Sequence, residues 1–184
     1  MVDGLRKSLA LALRNLSRHT NNMTEQTFAE PAWKTERMSA DQSVVITPCE
    51  PIDMRMMDVR IPWEPSSFVE DNDRKNIYVE LRDPVIRAYL QRQEENLNTQ
   101  TWGQISSCLA KDALLRCKIS MKSVHVFDKD RHVTTVPAKF GGLVCSVLVK
   151  LIGKWQTPDG SAMGLNLQMT DVQVLRAFEL QCPF

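Results

Sequence analysis

The sequence contains little glycine, and its few glycines do not form a nucleotide-binding loop. Glycine occupies 7 of the 184 positions, and Gly141-Gly142 and Gly160 stand isolated, without a Gly-Lys-Ser sequence after them. A loop that cradles phosphates needs several glycines in a fixed pattern, because its backbone N–H groups must approach the phosphate closely. The chain therefore lacks the phosphate loop that many nucleotide-hydrolysing enzymes require.

Cysteines are too few and too scattered for a disulfide framework or a structural metal site. The chain has 5 cysteines, an odd number, with no Cys-x-x-Cys and no histidine nearby at zinc-binding spacing. Cys117 and Cys145 lie among apolar residues with strand-like spacing, where a free thiol behaves as a small hydrophobic group. We therefore expect an intracellular, reducing compartment. The cysteines are Cys49, Cys108, Cys117, Cys145 and Cys182.

Long apolar runs are also absent. No stretch approaches the roughly 20 apolar residues that a helix needs to span a bilayer. With 184 residues, 43% hydrophobic and 24% charged, the chain has the size and composition of one globular domain that buries a substantial core. We therefore expect no membrane partner.

Residues for catalysis are missing or badly placed. The three histidines, His19, His125 and His132, fall in an N-terminal arm, a strand and the start of a strand, and no serine or cysteine carries a recognisable nucleophile signature. Asp128 and Asp130 resemble a carboxylate pair, but basic residues alternate with them, which favours a solvated turn over a metal site. We therefore expect a protein that is not an enzyme and has no cofactor or bound metal.

Charge is nearly balanced overall but unevenly distributed. Residues 23–110 carry 9 basic and 15 acidic side chains, a net of −6, whereas residues 111–154 carry 9 basic and 3 acidic, a net of +6. A basic segment of this kind predicts a basic face, and basic faces attract polyanions. The alternative is that the two halves neutralise each other in the fold.

The stretch from Gly141 to Leu175 predicts a long antiparallel hairpin. Its first arm alternates with period two and is rich in β-branched residues, which is typical of a strand. Pro158-Asp159-Gly160 separates the arms and has turn chemistry, because proline presets φ and glycine accepts a positive φ. A change of parity at Thr170-Asp171 indicates a bulge in the second arm.

The segments before this hairpin predict strands, then helices, then strands. Asp83-Pro84 favours a helix start, with an acid at the N-cap and proline at the first helical position. Trp102, Ile105 and Leu109 recur at three- and four-residue steps and predict a second helix. Early strands are expected at Val44–Ile46, at Met57–Ile61 on a sheet edge, and at Asn76–Leu81.

Period two returns at Leu114, so the C-terminal half predicts four strands in two successive hairpins, with a bulge before Val124. We therefore predict an α+β chain with a mainly antiparallel sheet and two helices between the early and late strands. Bulges and Gly153 inside a long strand favour a curled sheet or a small barrel over a flat sheet.

The N-terminal region differs from the rest. Residues 1–22 are basic, poor in acids and amphipathic, with leucines at helical spacing, so they resemble an organelle-targeting segment; alternatives are a basic arm or an upstream extension of a protein that starts at Met23. From Met23 to Ser43 the sequence is polar without periodicity. We predict a flexible arm at 1–43 and a single domain at 44–184.

The polar positions of the late strands carry spaced cations, with aromatic residues close by in the sequence. Cations can follow phosphates, and flat rings can stack on unpaired bases. The competing interpretation is that the lysines only solubilise the strands and the rings are core; Trp155 shares the parity of Val149 and Leu151. The candidate nucleic-acid-binding residues are Arg116, Lys118, Lys122, Phe127, Lys129, Arg131, Lys139, Phe140, Lys150, Lys154 and Trp155.

A resemblance adds to this interpretation. The segment Phe140-Gly-Gly-Leu-Val-Cys-Ser-Val-Leu-Val-Lys-Leu-Ile-Gly-Lys-Trp, followed by a polar turn and Gly-Leu-Asn-Leu-Gln-Met-Thr-Asp-Val-Gln-Val-Leu, resembles the C-terminal hairpin of single-stranded DNA-binding proteins of bacteriophages and large DNA viruses. The match runs from Phe140 to Leu175. It implies an OB-like barrel, a viral origin and a role in DNA replication.

We therefore expect a single-stranded DNA-binding protein with little sequence specificity, which protects or organises exposed strands through a basic groove and aromatic stacking. DNA is the expected partner ahead of RNA, and a homo-oligomer is possible. The alternative is a self-associating structural or virion protein, because the first arm of the hairpin is apolar on both faces and must be covered on both.

Overall fold

The structure is a computed structural model that describes residues 27–38, 44–48, 50–67, 72–98, 103–111 and 113–177. Within these ranges one helix and eleven strands are defined. The helix is α1 (Pro84–Asn98). The strands are β1 (Trp33–Met38), β2 (Val44–Pro48), β3 (Ile52–Ile61), β4 (Arg74–Glu80), β5 (Gln104–Ile105), β6 (Leu109–Ala110), β7 (Leu114–Ser120), β8 (His125–Phe127), β9 (Val133–Thr134), β10 (Leu143–Gln156) and β11 (Ala162–Ala177).

The α+β prediction with two helices is wrong, because the chain is mostly β and the sheet is mixed. The segment expected to form the second helix contains the short strands β5 and β6, which pair with β11 and β7. Trp102 lies outside the described residues, and helical spacing of Ile105 and Leu109 also fits two short strands separated by a bend. Three strands, β5, β7 and β8, run parallel to β11.

The long hairpin is confirmed. β10 pairs with β11 in antiparallel fashion from Leu143 opposite Ala177 to Gln156 opposite Met163. Gly160 closes the turn with φ of +70°, and its N–H donates to the Thr157 carbonyl over 2.9 Å. The expected bulge near Thr170 is confirmed too, since the register shifts between Leu148 opposite Asp171 and Val149 opposite Met169.

The main strands follow a path that nearly returns to its start. β3 pairs with β10, β10 with β11, β11 with β7, and β7 with β4. The path is closed by Ser66, in the segment that follows β3, and Asn76 of β4. Their backbones exchange hydrogen bonds of 2.9 and 2.7 Å. Among the described strands β3 pairs with β10 alone, which agrees with the sheet-edge position expected from its flanking prolines. The curled sheet resembles a small barrel.

The core lies on the concave side of these strands. Alternate residues are fully buried there, which follows from the period-two geometry of a strand. α1 contacts β11, β5 and β6, and supplies Ile86 and Leu90 to the core. Representative core side chains are Met54, Ile77, Val79, Leu115, Ile119, Val149, Leu151, Leu167 and Met169.

Two turns fix the ends of the main elements. Asp83 caps α1 as expected, because its Oδ1 accepts the N–H groups of Val85 at 2.8 Å and Ile86 at 3.2 Å. β7 ends at Ser120, and the turn at residues 121–123 separates it from β8, where we expected one bulged strand. β8 and β9 do form the small hairpin that was expected there.

The packed part of the chain begins before residue 44. β1 pairs with β2, and the ring of Phe28 lies 4.8 Å from that of Tyr89, measured between centroids. Glu30 forms an ion pair with Arg92 of α1 at 2.9 Å. Residues 27–38 of the segment expected to be a flexible arm therefore contact the sheet and the helix. Residues 1–22 lie outside the described residues.

In the part of the chain that is described, no helix is long and apolar enough to cross a membrane.

Candidate nucleic-acid interface

The convex side of the central strands carries a continuous polar surface, which we call the polar face. Its members alternate with core residues along each strand, and residues directly opposite one another in neighbouring strands place their side chains on the same side. The polar face consists of Arg74, Asn76 and Tyr78 on β4, Arg116 and Lys118 on β7, Asn166 and Gln168 on β11, Lys150 and Trp155 on β10, and Asp53 on β3.

One row of this face crosses all five strands. The register places Asn76 opposite Lys118, Lys118 opposite Gln168, Gln168 opposite Lys150, and Lys150 opposite Asp53. Neighbouring strands lie about 4.8 Å apart, so Lys118 and Lys150 stand about 10 Å apart across β11. The amide of Gln168 lies between these two cations.

Three cations gather at one side of the polar face. Burial lowers the pKa of Lys118, and the positive charges of Arg116 and Arg74 lower it further. Two of these three influences come from like charges, so Lys118 lies near two other cations. Arg116 is held in place by Ser106, whose hydroxyl accepts a 2.7 Å hydrogen bond from its guanidinium. An anion bound here would relieve the repulsion.

Two aromatic rings stand beside these cations. Tyr78 lies directly opposite Arg116 in the β4–β7 pair. Trp63, from the segment after β3, contacts Tyr78 edge to face with 5.6 Å between ring centroids and an interplanar angle of 77°. Trp63 is 56% exposed, which is unusual for so large an apolar side chain. A free ring surface is therefore available next to a positive cluster.

A bulge brings a third ring to the polar face. Leu151 pairs with Leu167 and Gly153 with Asn166, so Ile152 is an extra residue in β10. The extra residue reverses the alternation after it, and Trp155 falls opposite Gly164, on the side of Asn166. Glycine is needed there, because a Cβ atom would lie 2.9 Å from the Ser106 carbonyl oxygen and 3.0 Å from Trp155 Nε1.

The same bulge turns the side chain of Lys154 away from the polar face. Lys154 falls opposite Leu165, on the core side, and is 7% exposed. Its Nζ lies 4.1 Å from the centroid of the Trp33 ring, which is a cation–π contact. Burial lowers its pKa, and the nearby carboxylate of Glu30 opposes that effect. Lys154 therefore packs against Trp33 of β1 and lies away from the polar face, where the strand parity had placed it.

Phe127 and Phe140 are also core residues. Each is 1% exposed, and neither offers a face on which a base could stack. The Phe140 N–H donates to the Glu64 carboxylate over 3.0 Å, and this hydrogen bond holds the backbone of Phe140 beside the segment that follows β3. The positions at strand ends that suggested exposure are covered by neighbouring segments instead. The predicted stacking role of these two rings is therefore not supported.

The remaining predicted cations lie at the margins. Lys122 is exposed in the turn after β7, beside Asp73, which accepts its N–H over 2.8 Å. Lys129 and Arg131 belong to the turn between β8 and β9, and Lys139 is exposed in the loop before β10. β8 joins β11 only at residues 171–173, beyond Gln168. Of the eleven predicted residues, the polar face brings together Arg116, Lys118, Lys150 and Trp155.

In the described residues, the placement of possible metal ligands and the burial of the thiols determine what chemistry they can perform. Within them, no set of three or more His, Cys, Asp or Glu side chains could hold a metal ion. The thiols of Cys117 and Cys145 are buried, and burial raises the pKa of each to about 12. Such thiols stay protonated at neutral pH and are poor nucleophiles.

Comparison with known proteins adds a distant likeness. No protein family matches the chain, and no curated protein matches it. A solved phage protein is similar. It is the single-stranded DNA-binding protein from bacteriophage Enc34 in complex with ssDNA, with a TM-score of 0.41 and 11% identity, over 84% of this chain and 98% of that one. At this level of similarity the function has to be argued from the polar face itself.

Sequence reasoning missed Arg74, Tyr78 and Trp63. The signal for Tyr78 was present, because Ile77 and Val79 alternate with it and mark the opposite, buried face. Arg74 follows from the same alternation once β4 is known to begin there. Trp63 gave no such signal, since its contact with Tyr78 depends on where the chain passes after β3.

Proposed function

We propose that this chain binds single-stranded nucleic acid on the polar face, with little sequence specificity. The observation that carries the proposal is the cluster of Arg74, Arg116 and Lys118 beside the rings of Tyr78 and Trp63. Cations and exposed rings on one open surface are what an unpaired strand needs, because phosphates and bases alternate along it.

The cations supply attraction without reading sequence. Arg116 and Arg74 raise the local potential around Lys118, so a phosphate placed among them gains contacts with three positive groups. Arginine also binds phosphate with two parallel hydrogen bonds, and Ser106 already orients the Arg116 guanidinium. We therefore expect binding that weakens steeply as salt rises.

The rings supply the preference for single strands. A base can stack on Trp63, Tyr78 or Trp155 only when it is not paired and stacked in a duplex. From β4 to β10 the polar face crosses β7 and β11, which is three strand spacings or about 14 Å. An extended strand that crosses the face in this direction meets rings at both ends and cations between them.

The finer expectations remain predictions. A preference for DNA over RNA, a viral origin, a role in replication, a homo-oligomeric state, a reducing intracellular location and the lack of enzymatic activity are not decided by the polar face. The feature that favoured a self-associating structural protein has an explanation within the chain. Residues 144–147 of β10 are buried on both sides by the chain's own described residues.

The test is fluorescence anisotropy with labelled oligo-dT, the matching single-stranded RNA and duplex DNA, each at two salt concentrations. We expect tighter binding to single strands than to duplex, and a loss of affinity at the higher salt. Equal affinity for duplex and single strands, or no binding at low salt, would refute the proposal.

A pair of charge reversals then locates the site. Lys118→Glu should weaken binding at least tenfold at low salt, because it places a negative charge among Arg74, Arg116 and the phosphates. Arg176→Glu makes the same change in charge on β11, about 26 Å from Gln168 along the strand. This matched control should leave affinity within about twofold.

A further inference from the structure

One cation of the polar face already has an acidic partner. Lys150 Nζ lies 3.3 Å from Asp53 Oδ1, and the two side chains are 31% and 38% exposed. They are directly opposite residues of β10 and β3, so the backbone register fixes their proximity. The ion pair is thus built into the sheet and does not depend on a loose loop.

The two sides of the face differ in this respect. Around Lys118 the neighbouring charges are positive, whereas Lys150, about 10 Å away in the same row, is held by a carboxylate. A phosphate that reaches Lys150 must displace Asp53 or remain beside its negative charge. Either event reduces the binding free energy that the phosphate gains from its contact with Lys150.

We propose that Asp53 is an internal competitor that occupies Lys150 and limits the affinity and salt sensitivity of strand binding. This inference rests on the proposed function and adds a determinant of affinity to the same face. Asp53 sets the edge of the attractive surface, so the strand is held mainly by the cluster at β4 and β7. Lys150 contributes little while its partner is present.

The experiment is a double-mutant cycle on oligo-dT binding, with Asp53→Asn, Lys150→Gln and the double variant. Asp53→Asn should bind about three- to tenfold more tightly at low salt. The slope of log affinity against log salt should steepen by about 0.7, as expected for one more phosphate contact on a single strand. Lys150→Gln should cost little alone and several-fold in the Asp53→Asn background.

Glu95→Gln is the matched control, since it removes one exposed negative charge from α1 and should leave affinity within about twofold. Asp53→Ser checks that the effect comes from lost charge and not from the asparagine side chain. Unchanged or weaker binding by both Asp53 variants, with wild-type binding intact, would overturn the inference alone. Failure of the wild-type chain to bind single strands would overturn the proposed function, and the inference with it.

Discussion

Trp63 offers a direct test of whether an exposed ring takes part in binding. The ring is 56% exposed, and a fully exposed tryptophan side chain presents about 250 Å², so about 140 Å² is available. A base that covers half of this area removes about 70 Å² from water. At about 25 cal/mol per Å², the contact contributes about 1.8 kcal/mol, or roughly twentyfold in affinity.

Trp63→Ala should therefore weaken oligo-dT binding about twentyfold, within the 1–3 kcal/mol that is typical of a stacked base. The same change removes the edge-to-face contact with Tyr78, which should lower stability by about 0.5–1.5 kcal/mol. For a chain of this size, that is a fall in melting temperature of about 1–6 °C. The two effects have separate assays, namely anisotropy and thermal unfolding.

Two control variants make the result decisive. Trp63→Phe retains a ring and should recover most of the affinity. Val133→Ala removes an apolar side chain that is 53% exposed on β9, outside the polar face, and should not change binding. The reasoning is refuted if Trp63→Ala lowers the melting temperature as expected while its affinity stays within twofold of wild type.

Three further predictions concern the architecture that positions the face. Gly164→Ala should lower both stability and affinity, because the new Cβ would lie 2.9 Å from the Ser106 carbonyl oxygen and would displace Trp155; binding and melting are measured together. Asp83→Ala should cost about 1 kcal/mol of stability through the lost helix cap and leave binding unchanged, as denaturant unfolding can show. Phe140→Ala should cost about 3–5 kcal/mol of stability, and intact folding with selectively lost affinity would contradict its assignment to the core.

The long hairpin could be predicted from sequence because it is a local structure. Alternation, the Pro158-Asp159-Gly160 turn and the parity change at Thr170 are all contained within about 35 consecutive residues, and the structure has all three. The start of α1 at Asp83-Pro84 was predictable for the same reason. In each case, the chemistry that decides the conformation lies next to the residues that adopt it.

The second helix was mispredicted because its deciding contacts are distant in sequence. Ile105 pairs with Met163, and Leu109 with Leu115, so β5 and β6 exist through their partners and not through their own periodicity. Two-residue strands leave no period-two pattern to detect. Propensity is a weak prior in such segments, and tertiary pairing overrides it.

The candidate site was half predictable. Arg116 and Lys118 were assigned to the correct side because β7 alternates without interruption. Strand parity alone placed Lys154 on the polar side and Trp155, although it was named as a candidate for stacking, with the core residues. The structure reverses both placements, since the extra residue at Ile152 lies between them and the regular part of β10. Gly153 marked the irregularity, but a glycine alone does not say which residue is inserted.

The bulge at Ile152 is also where β10 changes partner. Leu151 is the last residue opposite β3, at Ile52, and Lys154 is the first opposite β2, at Ile46. At the inserted residue, the strand paired with β10 changes from β3 to β2. The insertion also places the indole of Trp155, instead of the ammonium group of Lys154, on the outer surface. In evolutionary terms, gain or loss of one codon at this position would convert the surface chemistry of the strand's end in one step, without any substitution.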